Sequence, residues 1–455
     1  MEIIILSKEI VKPSKPTPPN LRNHKLGIIE QLVFELCISP IFFYKNNNPL
    51  SEINNTNIAD SRLRNSLSET LTLFHPLAGE LSSEDPTSVD CNDKGVLYVE
   101  ARVKGVSLDE FLQNPNLSQL INFLPQNGSM GSKMNYVQTL ETLVSLQVTR
   151  FDCGGMAIGG VLFHKLLDGS TMSKFFKTWA QIARGDDGGV EKTAPLDFTS
   201  ASLQFPTQNL PQTFLKKWNM LFFNEGKSLV RRFVFDARAI ESIKTKVSSE
   251  NVPHPTRVEA LTTFIWKHMA LATRRVKGIS STPSMVTHIV NLRSRIEPQC
   301  LNAFGNLIFI AMSDVIEMTK LDLPHLVGLV RKMFENMNGE NLKVLGGDNA
   351  IDFLVDIATQ VGKLLPNNLD TYKFTSWCNL GLYDVDFGWG KPIFVAPFID
   401  TIGSLNNKQQ IILVENGKND GIEAWILRNN EEMFELENDE EFLAFASPNP
   451  SVHAY

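Results

Sequence analysis

Apolar positions in residues 61–74, SRLRNSLSETLTLF, recur at Leu63, Leu67, Leu71 and Phe74. That spacing predicts a helix with one buried face, and the HPLAG that follows ends it. Residues 95–103, GVLYVEARV, alternate as a strand does. Residues 143–149, LVSLQVT, alternate too, with Val144, Leu146 and Val148 on one face. FDCGG then turns the chain. Residues 156–163, MAIGGVLF, are apolar or glycine throughout, as expected of a strand covered on both faces, and they run straight into His164. Residues 170–184, STMSKFFKTWAQIAR, return to helical spacing, with Met172, Phe175, Phe176, Trp179 and Ile182 along one side.

Glycine and charge break the pattern at residues 185–195, GDDGGVEKTAP. The mixed Pro, Gln and Phe stretch after it reads as a connector between domains rather than a core element. Regularity resumes at RRFVFD. Residues 256–275, TRVEALTTFIWKHMALATRR, open with a capping box, Thr256 followed by Glu259, and carry a stripe of Val258, Leu261, Ile265 and Met269. IILVEN and GIEAWILR, joined by GKND, read as a β-hairpin. A final acidic helix is expected over about 430–446, and KPSKPTPP at 12–19 is an extended lead-in. Helices and strands mix in both halves without a short repeat, so the fold class is mixed α/β.

At 455 residues and 43% hydrophobic content the chain is long enough for two cores. The net charge of −7, with no Lys/Arg cluster, argues against nucleic acid and anionic membrane as partners. Five scattered cysteines (Cys37, Cys91, Cys153, Cys300, Cys378) without a C-x-x-C argue against a disulfide framework or a structural zinc site. The N-terminal apolar run is too short for a signal peptide. No apolar stretch approaches the roughly 18–20 residues of a spanning helix. The expectation is a soluble protein of the reducing cytosol.

Of the eight histidines, His164 stands apart. It ends a buried strand, precedes Asp168 and Gly169 and opens a helix, a rigid platform of the kind a general base needs. The plain alternative is a core histidine beside a helix-capping Asp. His164 and Asp168 lack the third ligand that a metal site needs. A serine-hydrolase triad lacks its G-x-S-x-G elbow. A base without an enzyme nucleophile suggests direct attack by a substrate hydroxyl or amine on an activated acyl group. The second conspicuous stretch is VDFGWGKP, residues 385–392. Its Asp386-Phe387-Gly388 is the kinase magnesium triplet, but the Gly-rich loop, the strand lysine and the H-R-D loop that a kinase needs are all missing. Flanking glycines and two large aromatics suit a tight turn instead, which gives Asp386 a structural role.

HKLLDG and DFGWGKP, in this order, resemble the BAHD family of plant acyl-CoA-dependent acyltransferases. FDCGGMAIGG, RRFVFD, VNLRSR, FGN and FTSWCNLGLYDVDFGWGKP agree, so the resemblance spans the chain. It implies a two-domain fold like chloramphenicol acetyltransferase, with mixed sheets flanked by helices and a solvent channel between the domains. Mapped here, residues 1–185 form one domain, 186–230 the crossover and 231–455 the other. It implies His164 as general base, with Asp168 turned away from the site and paired with an arginine, for which Arg293 is the candidate. It places Thr375 and Trp377 of FTSW at the reaction centre as candidate oxyanion donors. It implies acyl-CoA as co-substrate, a small hydroxyl acceptor, no metal and no permanently bound cofactor, in a cytoplasmic monomer. An amine acceptor, or a homologue that binds CoA without turnover, are the alternatives.

Overall fold

The structure is a computed structural model that describes residues 1–33, 35–45, 56–125, 141–185, 195–222, 228–279, 283–317, 322–364, 369–399, 410–418 and 420–454. Residues 186–194 of the glycine-rich break and Asn419 of the hairpin turn lie outside the described residues.

The apolar run Met156–Phe163 is a strand whose eight residues are all buried. It sits inside a sheet, antiparallel to Val144–Phe151 on one side and to Pro40–Tyr44 on the other. Val144–Phe151 runs parallel to Val96–Lys104, which pairs antiparallel with Glu2–Val11 at the edge. The far edge is Phe394–Pro397, antiparallel to Pro40–Tyr44 with Phe394 opposite Phe43. The C-terminal half of the chain thus contributes a strand to the first sheet.

A second sheet runs in the order Ile308–Met312, Pro283–Asn291, Asp370–Ser376, Gln410–Glu415, Ile422–Arg428, Leu229–Phe235 and Ser447–Pro448. Asp370–Ser376 is parallel to both neighbours. The expected hairpin is present, with Ile411 opposite Ile426. Both sheets therefore mix parallel and antiparallel pairs, and each is flanked by helices.

The helix Thr56–Leu73 starts earlier than its apolar stripe shows, and Leu63, Leu67, Leu71 and Phe74 are buried as the spacing predicts. The helix Gly169–Arg184 buries Met172, Phe175, Phe176 and Trp179, but Ile182 is only half-buried and Ala183 takes the inward position. In the second core, the helix Arg257–Lys277 has its capping box, Glu259 N–H donating to Thr256 Oγ1 (3.2 Å) and Thr256 N–H to Glu259 Oε2 (2.7 Å).

Two expectations need correction. The connector is not free of core elements: it holds the helix Gln212–Phe222, and Phe205, Phe214 and Trp218 are buried in the second core. Phe214 and Trp218, four apart, form the helix's buried stripe, short enough to be lost among the prolines and glutamines around it. The final acidic helix is two, Asn430–Glu437 and Glu440–Leu443. Asp439 N-caps the second, accepting from Phe442 N–H (3.1 Å), and a cap there starts a new helix instead of continuing the old one.

Along Asp370–Ser376 the residues alternate between the two cores. Tyr372 and Phe374 join the second, while Trp377, with Ile412, Val414 and Trp425 of the neighbouring strands, joins the first. One face of the second sheet thus packs on its own helices and the other turns to the first domain. Among the described residues no helix is long and apolar enough to cross a membrane.

Candidate active site

His164 begins a 3-10 turn, His164–Leu166, placed between the buried strand and the helix Gly169–Arg184. Its N–H donates to the Leu36 carbonyl (2.8 Å). Its carbonyl accepts from Asn306 Nδ2 (2.6 Å). The backbone of this one residue is therefore held from both halves of the chain.

Asp168 is the N-cap of the helix, its Oδ1 accepting from Thr171 N–H (2.9 Å). Its Oδ2 accepts from Arg293 Nη1 (2.5 Å) and from Leu307 N–H (3.0 Å). Both oxygens are thus committed, and neither is bonded to His164. Arg293 also donates from Nη2 to the Gly305 carbonyl (2.9 Å) and from Nε to the Ala303 carbonyl (3.2 Å). The pair clamps the segment 303–307, and that segment carries Asn306 to His164. At 1% and 4% side-chain exposure, Asp168 and Arg293 form a pair out of reach of solvent screening.

Burial alone would raise the Asp168 carboxyl. The charge and hydrogen bond of Arg293, with the Thr171 and Leu307 N–H groups, outweigh it and hold Asp168 below its ordinary value. For His164, burial dominates and lowers the imidazole below 6.5, against the opposing pull of its own carbonyl, Asp168, the Leu167 backbone and Asn306. The ring is therefore neutral at neutral pH. Its Nδ1 is fully covered, and neither Nδ1 nor the buried Asn306 Oδ1 has a hydrogen-bond partner among the described residues. Asn306 belongs to the FGN stretch. Its importance comes from the approach of two distant segments, for which the sequence has no local signal. Glu30, buried nearby, was also missed.

Thr375 is the penultimate residue of the strand Asp370–Ser376, and Trp377 follows that strand, its N–H donating to the Leu413 carbonyl (2.8 Å). They lie on the face turned to the first domain. Just beyond, the Leu380 carbonyl accepts from Ser173 Oγ (2.6 Å) and Lys177 Nζ (3.0 Å), which docks the segment on the helix that follows His164. Among the described residues neither the Thr375 hydroxyl nor the Trp377 indole N–H has a hydrogen-bond partner, and no hydrogen bond joins either to His164. Lys373, on the same face, has its amine lowered by burial to about 7. This lysine too was missed by the motifs.

Asp386 lies elsewhere. Its Oδ1 accepts from the N–H groups of Gly388 (2.8 Å) and Gly390 (3.0 Å), closing a turn. Gly388 has φ 103°, a left-handed conformation that favours glycine. The turn stacks Phe387 on Trp389 (5.4 Å) and sets Phe387 edge-on to Trp179 (4.9 Å). Arg184, the last residue of the helix, donates to the Asp386 carbonyl. That helix has 16 residues, so Asp386 is about 22 Å along it from the end that carries His164. His164, Asp168 and Arg293 are thus brought together with Asn306 and Glu30, the segment after Trp377 docks on the same helix through Leu380, and Asp386 stays remote. Among the described residues no group of three or more His, Cys, Asp or Glu side chains is placed to hold a metal ion.

A sequence model of the Transferase family matches residues 1–443 of the chain. Akuammiline synthase 2 of Alstonia scholaris is 39% identical over 459 residues, which cover 99% of this chain and 98% of that protein. Limonoid 7-O-acetyltransferase of Citrus sinensis is 36% identical over 99% of both chains. Among solved structures, the crystal structure of vinorine synthase superposes with a TM-score of 0.79 at 29% identity, covering 98% of this chain and 99% of that one.

Proposed function

The chain belongs to the Transferase family, the BAHD acyl-CoA-dependent acyltransferases that its two motifs resemble, and on that premise we propose that it moves an acyl group from acyl-CoA to a hydroxyl of a plant specialised metabolite, with His164 as general base. Alkaloid or terpenoid alcohols are the acceptor class. The names of its relatives, an alkaloid synthase and a limonoid O-acetyltransferase, support it.

The observation that carries the reading is the placement of His164: its ring is covered at Nδ1, on a turn fixed by Leu36 and Asn306, and burial lowers its imidazole below the ordinary value. A proton on the covered Nδ1 leaves the lone pair on Nε2 for the acceptor hydroxyl. The acceptor hydroxyl gives its proton to Nε2 as its oxygen forms a bond to the thioester carbonyl carbon. The oxyanion that develops takes a hydrogen bond from the Thr375 hydroxyl or the Trp377 indole N–H. Collapse breaks the carbon–sulfur bond, and the imidazolium returns the proton to the departing CoA thiolate. Asp168 and Arg293 hold the turn and do not touch the reacting atoms. Asp386 braces the far end of the helix.

Acyl-CoA and acceptor would meet at His164 in a solvent channel between the two domains. The working unit we propose is a cytosolic monomer without metal or permanent cofactor. Five free cysteines and the acidic, unpatterned charge support the compartment.

The test is an incubation of the purified chain with a panel of acyl-CoAs against hydroxylated and amino acceptors, read as product mass and released thiol. Transfer to a hydroxyl is expected. Transfer to amines only, or CoA binding without transfer to any acceptor, would overturn the proposal.

A further inference from the structure

Glu30 is 6% exposed and belongs to neither motif. It sits in the short helix Ile28–Leu32, whose Ile28, Ile29 and Leu32 pack in the second core. Its Oε2 accepts from Gly27 N–H (2.9 Å), and its Oε1 reaches across to accept from Asn306 N–H (3.3 Å). The approach is so close that a Cβ on residue 305 would lie 2.2 Å from Oε1, and residue 305 is a glycine with φ 102°. A side chain there would push the carboxyl off the loop. The groups that hold the segment 303–307 include Arg293 by its carbonyls, Asp168 by the Leu307 N–H, Thr171 Oγ1 by the Gly305 carbonyl (2.9 Å) and Glu30 by the Asn306 N–H. The first two belong to the ion pair already described. Among the described residues, Glu30 is the group that bonds to the backbone N–H of Asn306, whose side chain bonds to His164.

We infer that Glu30 is a positioning residue for the acyl transfer: it fixes the backbone of Asn306, and through the Asn306 side chain the placement of His164. Burial pushes the Glu30 carboxyl up to about 8, opposed by the Gly27 and Asn306 N–H groups, increased by Asp168 and opposed by Arg293. A carboxyl kept in so unfavourable a setting is consistent with a positional duty, since an apolar side chain would fill the same space at less cost.

The inference rests on the acyl-transfer reading, and its test separates the two. kcat and KM for acyl-CoA are measured for Glu30→Gln, Asn306→Ala and the double variant. Each single change is expected to lower kcat by about 10-fold to 100-fold, the scale of a displaced catalytic group, with KM within about threefold. Because Glu30 acts through Asn306, the double variant should be no worse than the poorer single variant, within about twofold. Glu30→Asp, which keeps a carboxyl group with two oxygens, should recover part of the loss. A Glu30→Gln kcat equal to wild type, or losses that multiply in the double variant, would overturn it. If the wild-type chain transfers to no acceptor, the reading of function fails instead. The coupling is then read from the His164 imidazole resonances: Glu30→Gln and Asn306→Ala should shift them alike, and unshifted resonances in Glu30→Gln sink the inference.

Discussion

Arg293 Nη1 stands 2.5 Å from Asp168 Oδ2, and the bond joins the N-terminal half of the chain to the C-terminal half beneath His164. The H-x-x-x-D pattern is therefore two things at once. One residue, His164, is the proposed base. The other staples the two halves, caps a helix and holds the loop that bears Asn306.

Asp168→Ala is expected to destabilise the protein by about 3–5 kcal/mol, because it leaves the Arg293 charge buried and unanswered. The sign with pH follows from the depressed carboxyl. The stabilisation is fully present above the ordinary value of 3.8 and is lost as pH falls through the lower value in the fold. Urea unfolding of wild type and Asp168→Ala across acid pH checks this: the gap should narrow as pH falls. A variant as stable as wild type but inactive would make Asp168 a partner of the imidazole instead.

Glu30 behaves in the opposite sense. Its carboxyl is raised from 4.5 to about 8, so the fold prefers it protonated. The stabilisation is complete below 4.5 and is lost as pH rises towards 8. The melting temperature of wild type should fall over that window more than that of Glu30→Gln. Parallel curves would show that Glu30 titrates normally.

Trp377→Phe removes an indole donor and keeps most of the ring, while Thr375→Val removes a hydroxyl at nearly constant volume. Loss of the group that meets the oxyanion should lower kcat by about 10²–10³. Steady-state kinetics on both variants identify which one it is. A change confined to KM assigns the residue to the wall of the site.

Asp386→Ala deletes the acceptor of two backbone N–H groups and should cost about 1–3 kcal/mol of stability. Asp386→Asn keeps an oxygen in place and should restore most of it. The pH–rate profile of the remaining activity should match wild type in both. Loss of an ionisation from a variant of normal stability would give Asp386 a part in the chemistry.

The elements around His164 were legible because their burial is local and periodic. An unbroken apolar strand and a one-sided helix announce themselves in the spacing of Val144 to Phe163 and of Met172 to Trp179. Phe394–Pro397 was not legible as a member of the first sheet, since pairing with Pro40–Tyr44 depends on where a distant chain returns. The pairing of Asp168 with Arg293 was expected from the family resemblance, and spacing alone could not have supplied it. Asn306 and Glu30 escaped for a related reason. Asn306 acts through its amide on the backbone of His164, and Glu30 lies in a helix of five residues, too short to show a period.

The central claim is that His164 is the base for acyl transfer to a hydroxyl. The most direct measurement is single-turnover transfer by His164→Ala and wild type, across pH, with an acceptor that the panel identifies. The wild-type rate should rise with pH through a single ionisation below 6.5, because burial lowers the imidazole and only its neutral form accepts the proton. His164→Ala should fold and bind acyl-CoA as wild type does, yet form product at least about 10²-fold more slowly at every pH. Product formation by the folded variant within about tenfold of wild type, with the same ionisation in its profile, would show that another group is the base.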